Sequence, residues 1–141
     1  MSVYVVDASV AAKWFFEEAQ AAAALRLRDA RHQRHAPDLL LAEVDNVVCK
    51  RVRRKEITAA EGRKVRAALR RVPIQTHPSG ALLDSAYELA VRTNCSIYDC
   101  LYVAVAMRIE GRMVTADRRL YDALAPGPFA RYVAWVEDLV E

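Results

Sequence analysis

Four acidic residues lie where apolar segments of the sequence begin or end, or within a helical pattern. They are Asp7, Glu43, Asp99 and Asp117. The first ends the apolar run at residues 3–6, the third opens an apolar segment at residues 99–107, and the fourth follows the run at residues 113–116. Ligand sites in open α/β sheets lie just beyond the carboxyl ends of the strands. These carboxylates are therefore candidates for one shared site.

Carboxylates that meet in one site need a counter-charge. Two unit charges about 4 Å apart repel by roughly 4 kcal/mol at an effective dielectric constant of 20. Protonation, salt bridges to arginine or hard divalent cations can relieve this repulsion. A ligand set of oxygens without His or Cys is best suited to Mg²⁺ or Mn²⁺. Such an ion activates water and stabilises charge on phosphate oxygens, so the pattern predicts a metal-dependent phosphodiesterase site.

Each acid also has an ordinary structural interpretation. Asp7 or Ser9 can cap the first helix, Asp99 can complete a capping box with Ser96, and Asp117 is a good N-cap for the helix after it. Glu43 can pair with a nearby arginine. Capping does not explain why acids recur beside apolar runs, but from the sequence alone both interpretations stay open.

The elements that must position these acids are predicted from apolar periodicity and from capping residues. The 141 residues, 54% of them hydrophobic and few of them Gly or Pro, favour a single α/β domain over residues 1–141. Strands are predicted at residues 3–6, 73–77, 112–115 and 132–136, with a short extended piece at 95–96. Helices are predicted at residues 9–16, 19–33, 38–54, 58–72, 79–93, 99–110 and 117–124.

Several of these elements carry a more specific expectation. The strand at residues 3–6 is expected at the centre of the sheet and the one at 132–136 at an edge. Asp38 is expected to cap the helix after it, and Thr58 with Glu61 forms a capping-box pattern. We expect the helices at 38–54 and 58–72 to form an antiparallel basic hairpin.

Charge and targeting signals indicate the binding partners and the cellular location of the protein. The net charge is only +3, but basic residues crowd the stretch 26–71. This suits a polyanionic partner and equally suits solvated helix faces. No apolar stretch approaches the roughly 20 residues of a spanning helix, and no signal peptide is visible, so a cytoplasmic protein without membrane association is expected. The three cysteines are expected to be reduced and mostly buried.

Four segments in order resemble PIN-domain ribonucleases of the VapC toxin type. They are Val-Val-Asp-Ala-Ser-Val at residues 5–10, residues 37–46 with Glu43 and Asn46, residues 97–106 around Asp99, and residues 114–120 around Asp117. The likeness covers essentially the whole chain. It implies a PIN-like fold, in which a short central parallel sheet is flanked by helices.

The resemblance also implies roles for the site residues. Asp7 and Asp99 would bind one or two Mg²⁺ or Mn²⁺ ions directly, and Asp117 directly or through water. Glu43 would hold a second ion or orient the attacking water. Small polar side chains would support the site, and two basic side chains are candidates for contacting substrate phosphate. The supporting residues are Ser9, Asn46 and Thr115, and the basic ones are Arg118 and Arg119.

The leading hypothesis is then an endoribonuclease that cleaves RNA with metal-activated water. As implied by the family, it would be the toxin of a toxin–antitoxin pair, covered by a small cognate antitoxin, and a homodimer. One alternative is a Mg²⁺-dependent phosphatase or phosphotransfer domain with Asp7 as nucleophile. That mechanism favours a late lysine, and no lysine follows Lys64. The other alternative is a non-catalytic RNA-binding module.

Overall fold

A five-stranded parallel sheet organises the protein, whose computed structural model describes residues 2–139. The strands are β1 (Ser2–Val6), β2 (His32–Pro37), β3 (Gln75–His77), β4 (Arg112–Thr115) and β5 (Val133–Trp135). They lie in the order β3-β2-β1-β4-β5, so β1 is central and β5 is at one edge, as predicted. Because all neighbours are parallel, the carboxyl ends of β1 and β4 meet at one edge of the sheet.

Helices connect the strands and complete the predicted α/β fold. They are α1 (Ala8–Ala11), α2 (Ala21–Arg26), α3 (Leu39–Arg53), α4 (Ala59–Arg71), α5 (Leu83–Thr93), α6 (Ile97–Ile109) and α7 (Arg118–Leu124). Short 3-10 helices lie at Ala12–Trp14, Ser79–Leu82, Ala130–Tyr132 and Val136–Asp138. The predicted helix at residues 9–16 is therefore α1 continued by a 3-10 turn.

Helix α6 is the interior helix of the domain. All of its residues from Cys100 to Ala106 are buried, as its apolar character on every face predicts. It contacts β1, β2, β4 and α5. The chain leaves α6 through Glu110 in the left-handed region, at φ 55°, and then passes Gly111. A Cβ on Gly111 would lie 2.9 Å from the Val3 carbonyl oxygen, so only glycine allows this close approach to β1.

Helices α3 and α4 form the predicted antiparallel hairpin. Thr58 and Glu61 make both bonds of the capping box that begins α4. Asp45 on α3 forms a salt bridge with Arg70 on α4 at 3.0 Å. Gly62, near the start of α4, faces the Val48 side chain. The absence of a side chain at Gly62 lets the two helices approach closely.

The predicted helix at residues 19–33 is wrong over its second half. Helix α2 stops at Arg26, and β2 begins at His32, beside the central strand. Arg34, the residue after the end of the predicted helix, is buried in β2 although Arg is usually exposed. Its guanidinium donates hydrogen bonds to the carbonyl oxygens of Leu27, Asp29 and Pro73 at 3.0 to 3.1 Å. These bonds satisfy the buried charge and fix β2 between two loops.

Three smaller expectations also fail. Residues 95–96 form no strand; the connection turns at Asn94, whose φ is 60°. The Asp38 side chain does not cap α3, because its Oδ1 accepts from the backbone N–H and hydroxyl of Ser79 instead. Cys49 is exposed and Cys95 half-buried, so among the cysteines only Cys100 is buried.

Within residues 2–139 no helix has the length and apolarity needed to cross a membrane.

Candidate active site

Asp7 is the central carboxylate of the site and directly follows β1. It is buried, with 5% of its surface exposed. The Ser9 hydroxyl on α1 donates to Asp7 Oδ2 at 2.6 Å, and the Thr115 hydroxyl at the end of β4 donates to the same oxygen at 2.9 Å. The adjacent β1 and β4 thus bring together residues that are more than 100 positions apart in the sequence.

Backbone groups fix the direction of both hydroxyls. The Ala116 N–H donates to Ser9 Oγ, and the Asp117 N–H donates to Thr115 Oγ1, each at 3.0 Å. Since an N–H can only donate, each hydroxyl is left to donate its own proton to Asp7. Both bonds end on Oδ2, so Oδ1 of Asp7 receives no hydrogen bond from any residue in the range 2–139. That oxygen is available to a ligand.

Burial raises the pKa of Asp7 from 3.8 to about 6. The two hydroxyl bonds lower it and negative charge on Asp99 and Glu43 raises it, but desolvation is the largest cause. The site therefore holds a carboxylate in an environment that disfavours its negative charge. A cation bound beside it would reverse that preference.

Glu43 reaches the same region from α3 and is held by Tyr102 of α6. The Tyr102 hydroxyl donates to Glu43 Oε1 at 2.6 Å. Burial raises the pKa of Glu43, the Tyr102 bond lowers it, and negative charge on Asp99 raises it. Burial also raises the pKa of the Tyr102 phenol, followed by the charges of Asp7 and Glu43, so the phenol stays protonated and keeps donating.

Asp99 and Asp117 keep part of the capping role that the sequence left open. The Ser96 hydroxyl accepts from the Asp99 N–H at 3.1 Å, and Asp117 Oδ1 accepts from the N–H groups of Arg119 and Leu120. Burial is the largest cause that raises the pKa of Asp99; its bond with Ser96 lowers it and negative charge on Asp117 raises it. Capping and proximity to the other carboxylates therefore coexist at these residues.

Electrostatic repulsion links the four predicted acids. Negative charge on Asp99 and Glu43 raises the pKa of Asp7. The charge on Asp99 raises the pKa of Glu43, and the charge on Asp117 raises the pKa of Asp99. In the range 2–139, no Lys, Arg or His forms a salt bridge with any of Asp7, Glu43 and Asp99. The protein itself leaves this negative charge without an ion-pair partner.

The donor set fits a hard divalent cation that keeps much of its hydration. No three His, Cys, Asp or Glu side chains within the described part of the chain are arranged to hold one ion jointly. Mg²⁺ commonly binds through one or two carboxylates, completing its shell with waters and substrate phosphates. Carboxylate oxygens are donors that suit Mg²⁺ or Mn²⁺, and Asp7 Oδ1 and the half-buried Asp99 could hold such an ion.

The remaining predicted residues surround this centre unequally. Asn46 is exposed and lines, with Ser9 and Glu43, a cleft of about 380 Å³. The Arg119 charge lowers the pKa of Asp99, so Arg119 lies near the acids. Arg118 is engaged elsewhere, because its guanidinium lies 3.9 Å from the centre of the Trp135 ring.

Tyr102 is the site residue that the sequence prediction missed. Its hydroxyl is the donor that fixes Glu43, yet it lies within a helix that is apolar on every face. The one signal in the sequence is a tyrosine three residues after Asp99, because residues three apart share a helix face.

Comparison with known proteins identifies the family of this chain. A family model described as PIN domain matches residues 4–124. VapC ribonuclease Mb0985 of Mycobacterium bovis is 34% identical over 118 residues, covering 84% of this chain and 88% of that protein. Ribonuclease VapC3 of Pyrobaculum aerophilum is 31% identical over 118 residues, covering 82% of this chain and 90% of that protein.

Solved structures show the same fold. The crystal structure of PAE2754 from Pyrobaculum aerophilum has a TM-score of 0.68 at 23% identity, covering 96% of this chain and 85% of that one. Mycobacterium tuberculosis VapC20, described as a sarcin-ricin loop cleaving toxin, has a TM-score of 0.65 at 19% identity, covering 85% of this chain and 94% of its own. With the family model and the relatives above 30% identity, the chain belongs to the PIN domain family and is a ribonuclease of the VapC type.

Proposed function

We propose that this VapC-type ribonuclease hydrolyses RNA phosphodiester bonds with one or two Mg²⁺ or Mn²⁺ ions held by Asp7, Glu43, Asp99 and Asp117. The observation that carries the proposal is the group of mutually repelling carboxylates around the buried Asp7, none of which has a salt bridge within residues 2–139. Repulsion that no salt bridge within residues 2–139 relieves favours a site that is completed by cations.

The chemistry assigns distinct tasks to the chain's own residues. A bound divalent ion would polarise the phosphate and lower the pKa of an attacking water. Ser9 and Thr115 keep the Asp7 carboxylate in one orientation, with Oδ1 free. Tyr102 holds Glu43 by one oxygen, and the raised pKa of Glu43 suits it to orient the attacking water and accept its proton.

The biological role we propose is that of a toxin neutralised by a small cognate antitoxin protein that covers the site, acting on RNA in the cytoplasm. Two observations support it: the identity of 34% to VapC ribonuclease Mb0985, and the fold shared with VapC20, which is described as a toxin. A short adjacent reading frame that encodes a DNA-binding protein would support the pairing further.

We also propose a homodimer in which α5 packs against its copy. Leu83, Tyr87 and Val91 are 45%, 58% and 65% exposed and lie four residues apart, so they form one apolar stripe. Asp84 and Arg92 each follow one end of this stripe. Two α5 helices packed antiparallel would therefore place Asp84 beside Arg92 of the partner subunit. Light scattering should find a dimer for the wild type and a monomer for Tyr87→Glu; a wild-type monomer would contradict the assignment.

Cleavage assays test the activity directly. Purified protein is incubated with single-stranded and structured RNA in Mg²⁺, Mn²⁺ or EDTA. We expect cleavage with either metal ion, none in EDTA, and none by the Asp7→Asn, Asp99→Asn double variant, because the variant removes both principal ligands. Equal cleavage by the double variant would trace the activity to a contaminating nuclease and contradict the assignment.

A further inference from the structure

The cleft beside the carboxylates extends along α3, away from the acids. Glu43, Asn46 and Lys50 line one wall, and their spacing of three and four residues places them on a single face of the helix. The opposite side is formed largely by small residues, including Ala8, Ala12 and Ala116. The cleft volume of about 380 Å³ lies at the lower end of the range for ligand sites.

Of the two lysines that line this cleft, Lys13 forms a salt bridge and Lys50 does not. The Lys13 ammonium lies 2.9 Å from Glu18 Oε1, and both residues line the cleft. Lys50 is exposed and forms no salt bridge or side-chain hydrogen bond with any residue from 2 to 139. Lys50 is thus the lysine of the cleft whose charge is left for a ligand.

We propose that this cleft holds the RNA backbone adjoining the cleaved bond, with the Lys50 ammonium pairing with a phosphate and the Asn46 amide donating to a phosphate or ribose oxygen. The inference rests on the proposed ribonuclease function and extends it to substrate positioning. Lys50 is seven positions after Glu43 in the sequence, which is about 10 Å along the helix axis. That distance lets one RNA strand contact both the acids and Lys50.

The small residues opposite α3 suit the backbone of an RNA strand rather than a pocket for a nucleotide base. Ala8, Ala12 and Ala116 offer no aromatic ring for stacking and no side-chain donor for base edges. Of the side chains that line the cleft, Ser9 and Lys13 are already bonded to Asp7 and Glu18, whereas Asn46 and Lys50 make no salt bridge or side-chain hydrogen bond within residues 2–139. A cation and an amide can contact backbone oxygens without regard to base identity. Lys50 is therefore assigned to positioning and affinity, and not to sequence preference.

The test measures RNA binding and cleavage in matched lysine variants of the full chain. Binding of a short fluorescein-labelled single-stranded RNA is followed by anisotropy over a NaCl series, in an Asp99→Asn background that prevents cleavage. We expect Lys50→Gln to weaken binding about five-fold and to reduce the slope of log K against log salt by about 0.7, as for one lost phosphate contact. Lys50→Arg should restore both values.

Lys64→Gln is the matched control, because Lys64 is exposed on α4 and does not line the cleft. It should leave the salt slope and affinity at the parent values. With Asp99 restored, Lys50→Gln should lower kcat/KM chiefly through KM, since its contact is made before and during the reaction alike.

The outcomes separate this inference from the proposed function. A wild-type enzyme that cleaves RNA, with Lys50→Gln and Lys64→Gln identical in slope and kcat/KM, would overturn the cleft assignment alone. The cleft assignment would also fail if Lys50→Gln spared RNA binding and weakened only the binding of a protein partner. If the wild type cleaves no RNA, the nuclease proposal is contradicted. If Lys50→Gln nevertheless reduces the slope of log K against log salt, the cleft is supported as an RNA-binding surface.

Discussion

Replacing Asp7 by Asn should make the metal-free protein more stable at neutral pH. The folded state raises the pKa of Asp7 to about 6, from 3.8, because the carboxylate is buried. Well below pH 3.8 the group is neutral in both folded and unfolded protein and contributes nothing. As the pH rises to 6 and above, the unfolded state loses this proton more readily, so the free energy of unfolding falls.

The magnitude follows from the size of the shift. Each pKa unit corresponds to 1.36 kcal/mol, so a shift from 3.8 to about 6 costs the folded protein about 3 kcal/mol above pH 6. Asn has nearly the same shape and no charge, so Asp7→Asn removes this cost. For a chain of 141 residues, the gain corresponds to a rise in Tm of about 9 °C.

Thermal unfolding in EDTA, followed by circular dichroism between pH 4 and pH 8, measures the effect. The difference in Tm between Asp7→Asn and wild type should be largest at pH 7 to 8 and fall to about a fifth of that value near pH 4. Mg²⁺ should then raise the Tm of the wild type and not that of the variant. Asp122→Asn, at an exposed position of α7, is the control for the chemical change. A variant less stable than wild type at pH 7.5 in EDTA would refute the argument.

Three further substitutions test contacts at the site and in the helical hairpin. Thr115→Val removes one of the two donors to Asp7 and should cost about 1–3 kcal/mol in urea unfolding; no loss would deny that bond a stabilising role. Tyr102→Phe frees Glu43 and should cost about 1 kcal/mol and reduce kcat; an unchanged kcat would show that Glu43 needs no anchor. Gly62→Ala adds a Cβ 2.9 Å from a valine of α3, so overpacking of about 1–3 kcal/mol should exceed the helix-propensity gain of about 1 kcal/mol; a more stable variant would contradict this.

Local patterns in the sequence were sufficient for the elements that carry most of the site. The apolar runs predicted β1 and β4, and the uniformly apolar segment predicted α6 as the interior helix. Once β1 and β4 are neighbours in a parallel sheet, Asp7 and Thr115 must meet at its carboxyl edge. The apolar runs thus predict the strands, and their pairing in the sheet brings the two side chains together.

Long-range polar contacts account for what the sequence did not predict. Strand β2 contains Arg34, whose burial depends on carbonyl groups of Leu27, Asp29 and Pro73, and no local pattern reveals those partners. Asp38 binds Ser79, which is 41 residues away, and so does not act as the helix cap that its position suggests.

The same limit applies to Glu43. Its helical position was predicted, but its hydrogen bond comes from Tyr102 across the domain, 59 residues later in the sequence. Only the packing of α6 against β1, β2 and β4 brings the phenol to that carboxylate.

Anomalous scattering from crystals soaked in Mn²⁺ tests most directly whether the carboxylates form a metal site. We predict an anomalous peak within coordination distance of Asp7 Oδ1 and an Asp99 oxygen, with waters completing the shell, and no peak in Asp7→Asn crystals. A wild-type map without a peak at this site, with Asp7 and Asp99 engaged by other side chains, would contradict the account.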